Sequence, residues 1–248
     1  MMSTSFVIAL AGLKIKIHAL YEDVQSYCRD YLTDATDIDF EIEISPADLL
    51  AEEAYSRKQF ALEGLTYPDF TPGELEKTAV YRKIAAILPH YDGVVFHGAA
   101  VCVDNAAYLF TARSGVGKTT HLNLWLKNIP GAFVINGDKP ILRFEKDHIE
   151  VYGTPWAGKE GMQRNVSVPL KGLAILKRSR ENVISKINFS TALPVLLTQV
   201  HRPENETADT KTISFLEKLG RCVELYTLSC NMDDAAARVA YQGMCHAF

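Results

Sequence analysis

What the sequence lacks narrows it first. Its five cysteines, Cys28, Cys102, Cys222, Cys230 and Cys245, are odd in number and show no CxxC spacing. That excludes a disulfide framework or a paired-cysteine zinc site as the organising device, and the thiols are read as reduced. An excess of basic residues is also missing: 26 Lys and Arg stand against 30 Asp and Glu, for a net charge of −4. No nucleic-acid platform is read from such a balance. Long apolar runs are absent too. The stretch 6–13 is preceded by no basic residue and is ended by Lys14. It is too short to span a bilayer and is read as an opening strand rather than a signal peptide, which places the protein in the cytoplasm and off the membrane. Neither an internal repeat nor a low-complexity segment is found, and 48% apolar with 23% charged residues argues against disorder.

What is present centres on 108–121, YLFTARSGVGKTTH. Tyr108, Leu109, Phe110 and Thr111 have high strand propensity and read as a buried strand. Next come Arg113, Ser114, Gly115, Val116 and Gly117, where two glycines permit positive φ and let consecutive N–H groups converge on an anion. From Lys118 the spacing of Leu122, Trp125 and Leu126 predicts a helix, whose N-terminus adds partial positive charge. Strand, loop and helix in this order form a triphosphate site of the pattern G-x-x-x-x-G-K-[ST], with Ala112 at the first glycine position. Lys118 is expected to reach the β- and γ-phosphates and the Thr119 hydroxyl to enter a Mg²⁺ shell, with Thr120 completing the nucleotide contacts.

The length allows a main domain with a smaller lobe, set here as an N-terminal mixed α/β lobe over 1–90 and a nucleotide-binding domain over 91–248. In the lobe, strands are expected at 6–10 and 13–17 around Gly12, a helix at 20–32, a strand at 39–44, a helix and then a loop over 45–72, and a helix at 73–88 closed by Pro89. In the domain, 94–103 reads as a long apolar strand interrupted by His97 and Gly98, and Asp104 with Asn105 turns it into the strand before the loop. Strands are expected at 132–135, 141–144, 149–152, 172–176 and 223–228, and helices at 190–201, 209–219 and 233–244. The basic run Lys177, Arg178, Arg180 is read as a solvated face.

A second cluster, Asn136-Gly137-Asp138-Lys139-Pro140, ends a strand. Asp138 there can bind Mg²⁺ or accept a proton from an attacking hydroxyl; an Asx turn is the structural alternative. The loop GTPWAGKEG at 153–161 brings an aromatic, a cation and an acid together, and Lys159 and Glu160 are candidate substrate contacts.

HGAAV at 97–101, a hairpin, SGVGKTT at 114–120 and VINGDKP at 134–140, in this order, resemble the kinase domain of HPr kinase/phosphorylase and its relatives, a superfamily that includes phosphoenolpyruvate carboxykinase. The resemblance covers roughly 90–180. It implies an α/β, strand-rich P-loop fold, ATP with Mg²⁺, phosphoryl transfer to a serine-like hydroxyl or a small acid, and a homo-oligomer. By it, His97 matches the histidine before the phosphate loop, Lys118 the nucleotide lysine, Thr119 the magnesium hydroxyl, and Asp138 one of the family's paired aspartates. The pair itself is absent, because Gly137 and Lys139 flank a single acid. Whether Asp138 is the base or the metal ligand stays open, and Lys139 is an alternative site of phosphate neutralisation. The expectation is an ATP-dependent kinase (catalytic Asp138, His97 and Lys118) acting on a hydroxyl of a protein, peptide or small molecule. A non-catalytic ATP-binding regulatory protein is the alternative, with a carboxykinase third.

Overall fold

The structure, a computed structural model, describes residues 4–62 and 64–245. The chain divides into two compact units, Met1–Ala85 and Ala86–Phe248.

In the first unit, β1 (Thr4–Leu10) and β2 (Leu13–Ala19) form an antiparallel hairpin. Both turn residues, Ala11 (φ 53) and Gly12 (φ 72), are left-handed, the geometry that matches strand twist in a two-residue loop. Leu13, Ile15, Ile17 and Ala19 alternate into the core. The helix expected at 20–32 is shorter. After α1 (Glu22–Tyr27) the chain tightens into a single 3₁₀ turn at Arg29–Tyr31. Val24, Cys28 and Tyr31 are buried by that path, whereas Tyr27 and Leu32 face outward. β3 (Phe40–Glu43) then pairs parallel with β2, and α2 (Pro46–Leu62) and α3 (Pro72–Ile87) follow.

Burial in this unit makes a chemical prediction. Desolvation pushes the Cys28 thiol up to about 12, against a weaker opposing pull from Lys77, whereas Cys222 in the second unit is exposed. Alkylation of the folded protein at neutral pH is expected to label Cys222 first and Cys28 only on unfolding, since thiolate and access set the rate. Mass spectrometry showing both labelled at similar rates would contradict the packing.

The second unit is built on one nine-stranded sheet. Its elements are β4 (Gly93–Val95), β5 (Ala99–Val103), β6 (Ala106–Thr111), α4 (Lys118–Asn128), β7 (Phe133–Asn136), β8 (Ile141–Glu145), β9 (His148–Tyr152), β10 (Ser167–Arg178), β11 (Val183–Lys186), α5 (Phe189–Gln199), α6 (Glu206–Cys222), β12 (Glu224–Cys230) and α7 (Asp234–Cys245). Strand order runs β4-β8-β9-β10-β6-β5-β7, with β12 beside β10 and β11 beyond β12. The long β10 joins two regions. Ser167 to Pro169 pair antiparallel with β9, and the strand then runs parallel to β6 on one side and β12 on the other.

The apolar run 94–103, expected as one long strand interrupted by His97 and Gly98, is two separate strands that part at that interruption. β4 pairs with β8, while β5 pairs with β6 and β7. Gly98 lies between them, where a Cβ would come 3.0 Å from the Phe110 carbonyl oxygen. The β5–β6 turn falls at Asp104 and Asn105, both left-handed.

Alternation sorts the sheet's side chains into two cores. Leu109, Leu173, Ile175 and Leu225 pack with Leu196 of α5 and Phe215 and Leu219 of α6. Phe110, Ala174, Leu176 and Leu228 pack on the other face with Leu122 and Trp125 of α4 and Ala237 and Ala240 of α7. Leu126, grouped with Leu122 and Trp125 in the expected stripe, is instead 40% exposed. At 3.6 residues per turn it lies roughly a quarter-turn from the face that Leu122 and Trp125 share. Among the described residues no helix is long and apolar enough to cross a membrane.

Candidate functional site

The parallel strand β6 delivers the chain to the loop 112–117. Gly115 (φ 76) and Gly117 (φ 126) are left-handed, and a Cβ added at either would meet nothing within 4 Å. Glycine is therefore required there by backbone conformation and not by space. Ala112 is different: its φ is not positive, and its methyl, 2% exposed, lies in the core with Phe110 and Leu122. Ala112→Gly is accordingly expected to lower stability by about 1 kcal/mol, from lost burial and added unfolded-state freedom. A denaturation midpoint equal to or above that of the parent would contradict this.

α4 begins at Lys118, so its first amides, on Lys118, Thr119 and Thr120, have no carbonyl one turn back. Lys118 is buried and donates from Nζ to the Ala112 carbonyl at 3.1 Å. Burial pushes its pKa down; Asp138 pulls it up and Lys139 pushes it down again. Arg178, at the end of β10, donates to the carbonyls of Gly115 and Val116. The basic run read as a solvated face thus has one member fastened to the loop, while Lys177 and Arg180 are exposed.

Facing the loop are His97, in the β4–β5 connection, and Asp138, in the β7–β8 connection. His97 Nε2 lies 3.3 Å from Asp138 Oδ1, and Lys139 Nζ lies 2.8 Å from Asp138 Oδ2. Burial raises the Asp138 pKa, but the His97 hydrogen bond and the Lys139 charge outweigh it and leave the carboxyl at about 2. His97 is shifted down, chiefly by burial, against the pull of the Asp138 hydrogen bond. At neutral pH the pair is an uncharged imidazole beside a carboxylate.

Backbone pairing holds the two together. Gly98 N donates to Asp138 O at 3.0 Å, and His97 N donates to Gln199 O at 2.6 Å. Thr111, fully buried, donates from Oγ1 to His97 O at 2.8 Å. An Asx turn is present, but Asn136 makes it rather than Asp138. Asn136 Oδ1 accepts from the Asp138 and Lys139 amides at 2.9 and 2.7 Å, and its Nδ2 donates to Thr154 O and Oγ1. The Asp138 side chain is left to face His97 and Lys139. The loop after β9 is tied in as well: Gly137 N donates to Met162 O, and Thr154 Oγ1 donates to Lys139 O. At Gly153 a Cβ would fall 1.8 Å from the Arg164 carbonyl oxygen, so this crossing admits only glycine.

These segments enclose a cleft of about 440 Å³. Of the residues proposed from sequence, it gathers His97, Ser114, Gly115, Gly117, Lys118, Thr119, Thr120, Asp138, Lys159 and Glu160. Lys139 adjoins it through Asp138. Arg113 is exposed and does not line it, and Val116 lines a second cleft, of about 480 Å³, bordered by the same loop. His121, 2% exposed, also lines that second cleft. Its Nε2 accepts from Trp125 Nε1–H at 3.0 Å, so the ring proton is on Nδ1, and Nδ1 has no partner. Burial lowers the His121 pKa to about 4 and keeps the ring neutral.

No family model matches the chain, and no curated protein matches it either. Among solved structures, the HPr(Ser) kinase/phosphatase from Coxiella burnetii is similar over 60% of this chain and 97% of that one, at 10% identity and a TM-score of 0.36. Likeness at that level is distant, and the chemistry of the cleft has to be read from its own residues.

Sequence reasoning missed Arg178, Asn136, Thr154, Thr111 and His121. Asn136 carried a local signal, since Asn two residues before the turning amides is a strong Asx-turn former. Arg178 carried none, because its partner lies sixty residues away in a loop brought close only by the β6–β10 pairing.

Proposed function

We propose that the protein is an ATP-dependent phosphotransferase acting on a hydroxyl group, with a serine of a protein or peptide, or a small alcohol, as acceptor. The observation that carries this reading is the single cleft in which Lys118 and Thr119, at the start of a helix, face the His97–Asp138 pair. Left-handed glycines and free first-turn amides suit a polyphosphate, and Lys118 supplies the opposing charge.

A divalent ion fits the donor set, since Thr119 and Asp138 offer hard oxygen ligands in the same cleft. When bound, Mg²⁺ would neutralise charge on the phosphates. The chain's own residues do the rest. The loop and Lys118 hold and orient the phosphates. Asp138, ionised and fixed by His97 and by the Asn136 turn, orients the acceptor hydroxyl and receives its proton. A carboxylate of pKa about 2 is a weak base, so proton transfer falls late, as a loose transition state allows. Lys159 and Glu160, on the segment fastened through Gly137 and Met162, contact the acceptor.

One contact favours a second reading. Lys139 already pairs with the lone carboxylate at 2.8 Å, which suits a nucleotide-binding regulatory protein that transfers nothing. Incubation with γ-labelled ATP and an extract of the source cells, followed by identification of labelled species, separates the two. A labelled phosphoester on a discrete acceptor is expected. Saturable ATP binding with no labelled acceptor would overturn the kinase reading and leave the regulatory one.

A further inference from the structure

We propose that Lys139 is a movable counter-charge that keeps a divalent ion off Asp138 until a nucleoside triphosphate arrives, and that then transfers to the phosphates. Metal and nucleotide bind together in consequence, and the metal alone binds only weakly. This rests on the nucleotide reading above. Both carboxylate oxygens of Asp138 are engaged: Oδ1 lies 3.3 Å from His97 Nε2, and Oδ2 accepts from Lys139 Nζ at 2.8 Å. An ion that takes Asp138 as a ligand has to displace one of these partners. His97 is the harder to move, because its backbone is held on both sides, by the Gln199 carbonyl and the Thr111 hydroxyl. Lys139 is held by its main chain, whose N–H donates to Asn136 Oδ1 at 2.7 Å and whose carbonyl accepts from Thr154 Oγ1 at 2.8 Å. Its ammonium has Asp138 as its one hydrogen-bond partner among the described residues. That ammonium sits on a flexible four-carbon stem, so it can swing away without disturbing the turn.

Charge balance favours the same order of events. In and beside the cleft, the ammonium groups of Lys118, Lys139 and Lys159 outnumber the carboxylates of Asp138 and Glu160. A bare divalent cation meets a positive surplus there, whereas a metal–triphosphate complex is anionic and is attracted. Lys118 lies within electrostatic reach of both Asp138 and Lys139. Phosphates drawn to Lys118 therefore come close to the Lys139 ammonium and offer it an alternative to Asp138. The supply of ligands points the same way. Thr119 and Asp138, the oxygen donors assigned above, are two of the about six that a hard divalent ion needs, so phosphates and water have to bring the rest.

The test measures binding of Mn²⁺, a paramagnetic stand-in for Mg²⁺, to the full chain by electron paramagnetic resonance, with and without ATP. Without nucleotide, Lys139→Met and Lys139→Gln are each expected to bind Mn²⁺ at least about tenfold more tightly than wild type, because a carboxylate that has lost its partner takes up another cation. Adding Asp138→Asn to Lys139→Met is expected to remove that gain, which assigns the ion to the carboxylate. With ATP present, wild type is expected to take up one Mn²⁺ per nucleotide, and Lys139→Met to bind ATP with Mg²⁺ severalfold more weakly. The turn is set by main-chain bonds, so both single variants should melt within a few degrees of wild type. Equal Mn²⁺ affinity of wild type and both single variants without nucleotide, or a gain that survives Asp138→Asn, would overturn the inference while sparing the nucleotide reading. Failure of wild type to bind ATP would overturn that reading and this inference with it.

Discussion

Asp138→Asn is expected to slow phosphate transfer by about 10²- to 10³-fold while leaving ATP affinity within a few-fold of wild type. Asparagine keeps the shape of the side chain, and the Asn136 turn that places it is formed by the Asp138 amide and not by its carboxylate. What is lost is the negative charge between His97 and Lys139 and the ability to take a proton. Rate and affinity should therefore separate. The same variant has a stability signature whose sign follows from the pKa. In the folded protein the carboxyl titrates at about 2, below its usual 3.8. A depressed acid stabilises the fold above the usual value, and that stabilisation is lost as pH falls through the folded one. Wild type should thus lose stability between about pH 4 and pH 2 more steeply than the variant. Denaturant melts at pH 7 and pH 3 would show it, and equal losses would contradict the His97–Asp138–Lys139 arrangement.

Lys118→Ala is expected to weaken ATP binding by about 10²-fold or more, the scale of losing charge-assisted hydrogen bonds to phosphate, and to abolish turnover. Its effect on stability should be small or favourable. Lys118 is buried, its ammonium is disfavoured there by desolvation, and its hydrogen-bond partner is one backbone carbonyl. Removing a buried charge whose compensation is partial relieves the folded state rather than damaging it. A residue that impairs function without supporting the fold is the mark of a binding group. Loss of ATP binding accompanied by a collapse of the melting temperature would instead make Lys118 a structural residue.

The parts of the site that were legible in the sequence are those with local signals. Strand propensity and two glycines placed the strand through 108–111 and the helix start at Lys118, because each depends on neighbouring residues only. The Asp104–Asn105 hairpin was legible for the same reason. Other features depend on pairing between distant segments. The run 94–103 shows its interruption at His97 and Gly98, but nothing local reveals that its two halves pair with different neighbours. β11, an exposed four-residue strand, is defined by its pairing with β12 and not by its composition. Arg178 looked like any surface cation until β10 was aligned beside β6. The burial of His121 likewise emerges only from its hydrogen bond to Trp125 and the packing of both rings.

The measurement that bears most directly on the central claim is a titration of ATP with Mg²⁺ into the wild-type protein and into Lys118→Ala, with inorganic triphosphate as competitor. Saturable one-to-one binding by wild type, displaced by triphosphate and lost in the folded variant, is the expected result. Absence of binding by wild type, or equal binding by the variant, would contradict the assignment of the loop at Ser114 to Thr120 as a phosphate site.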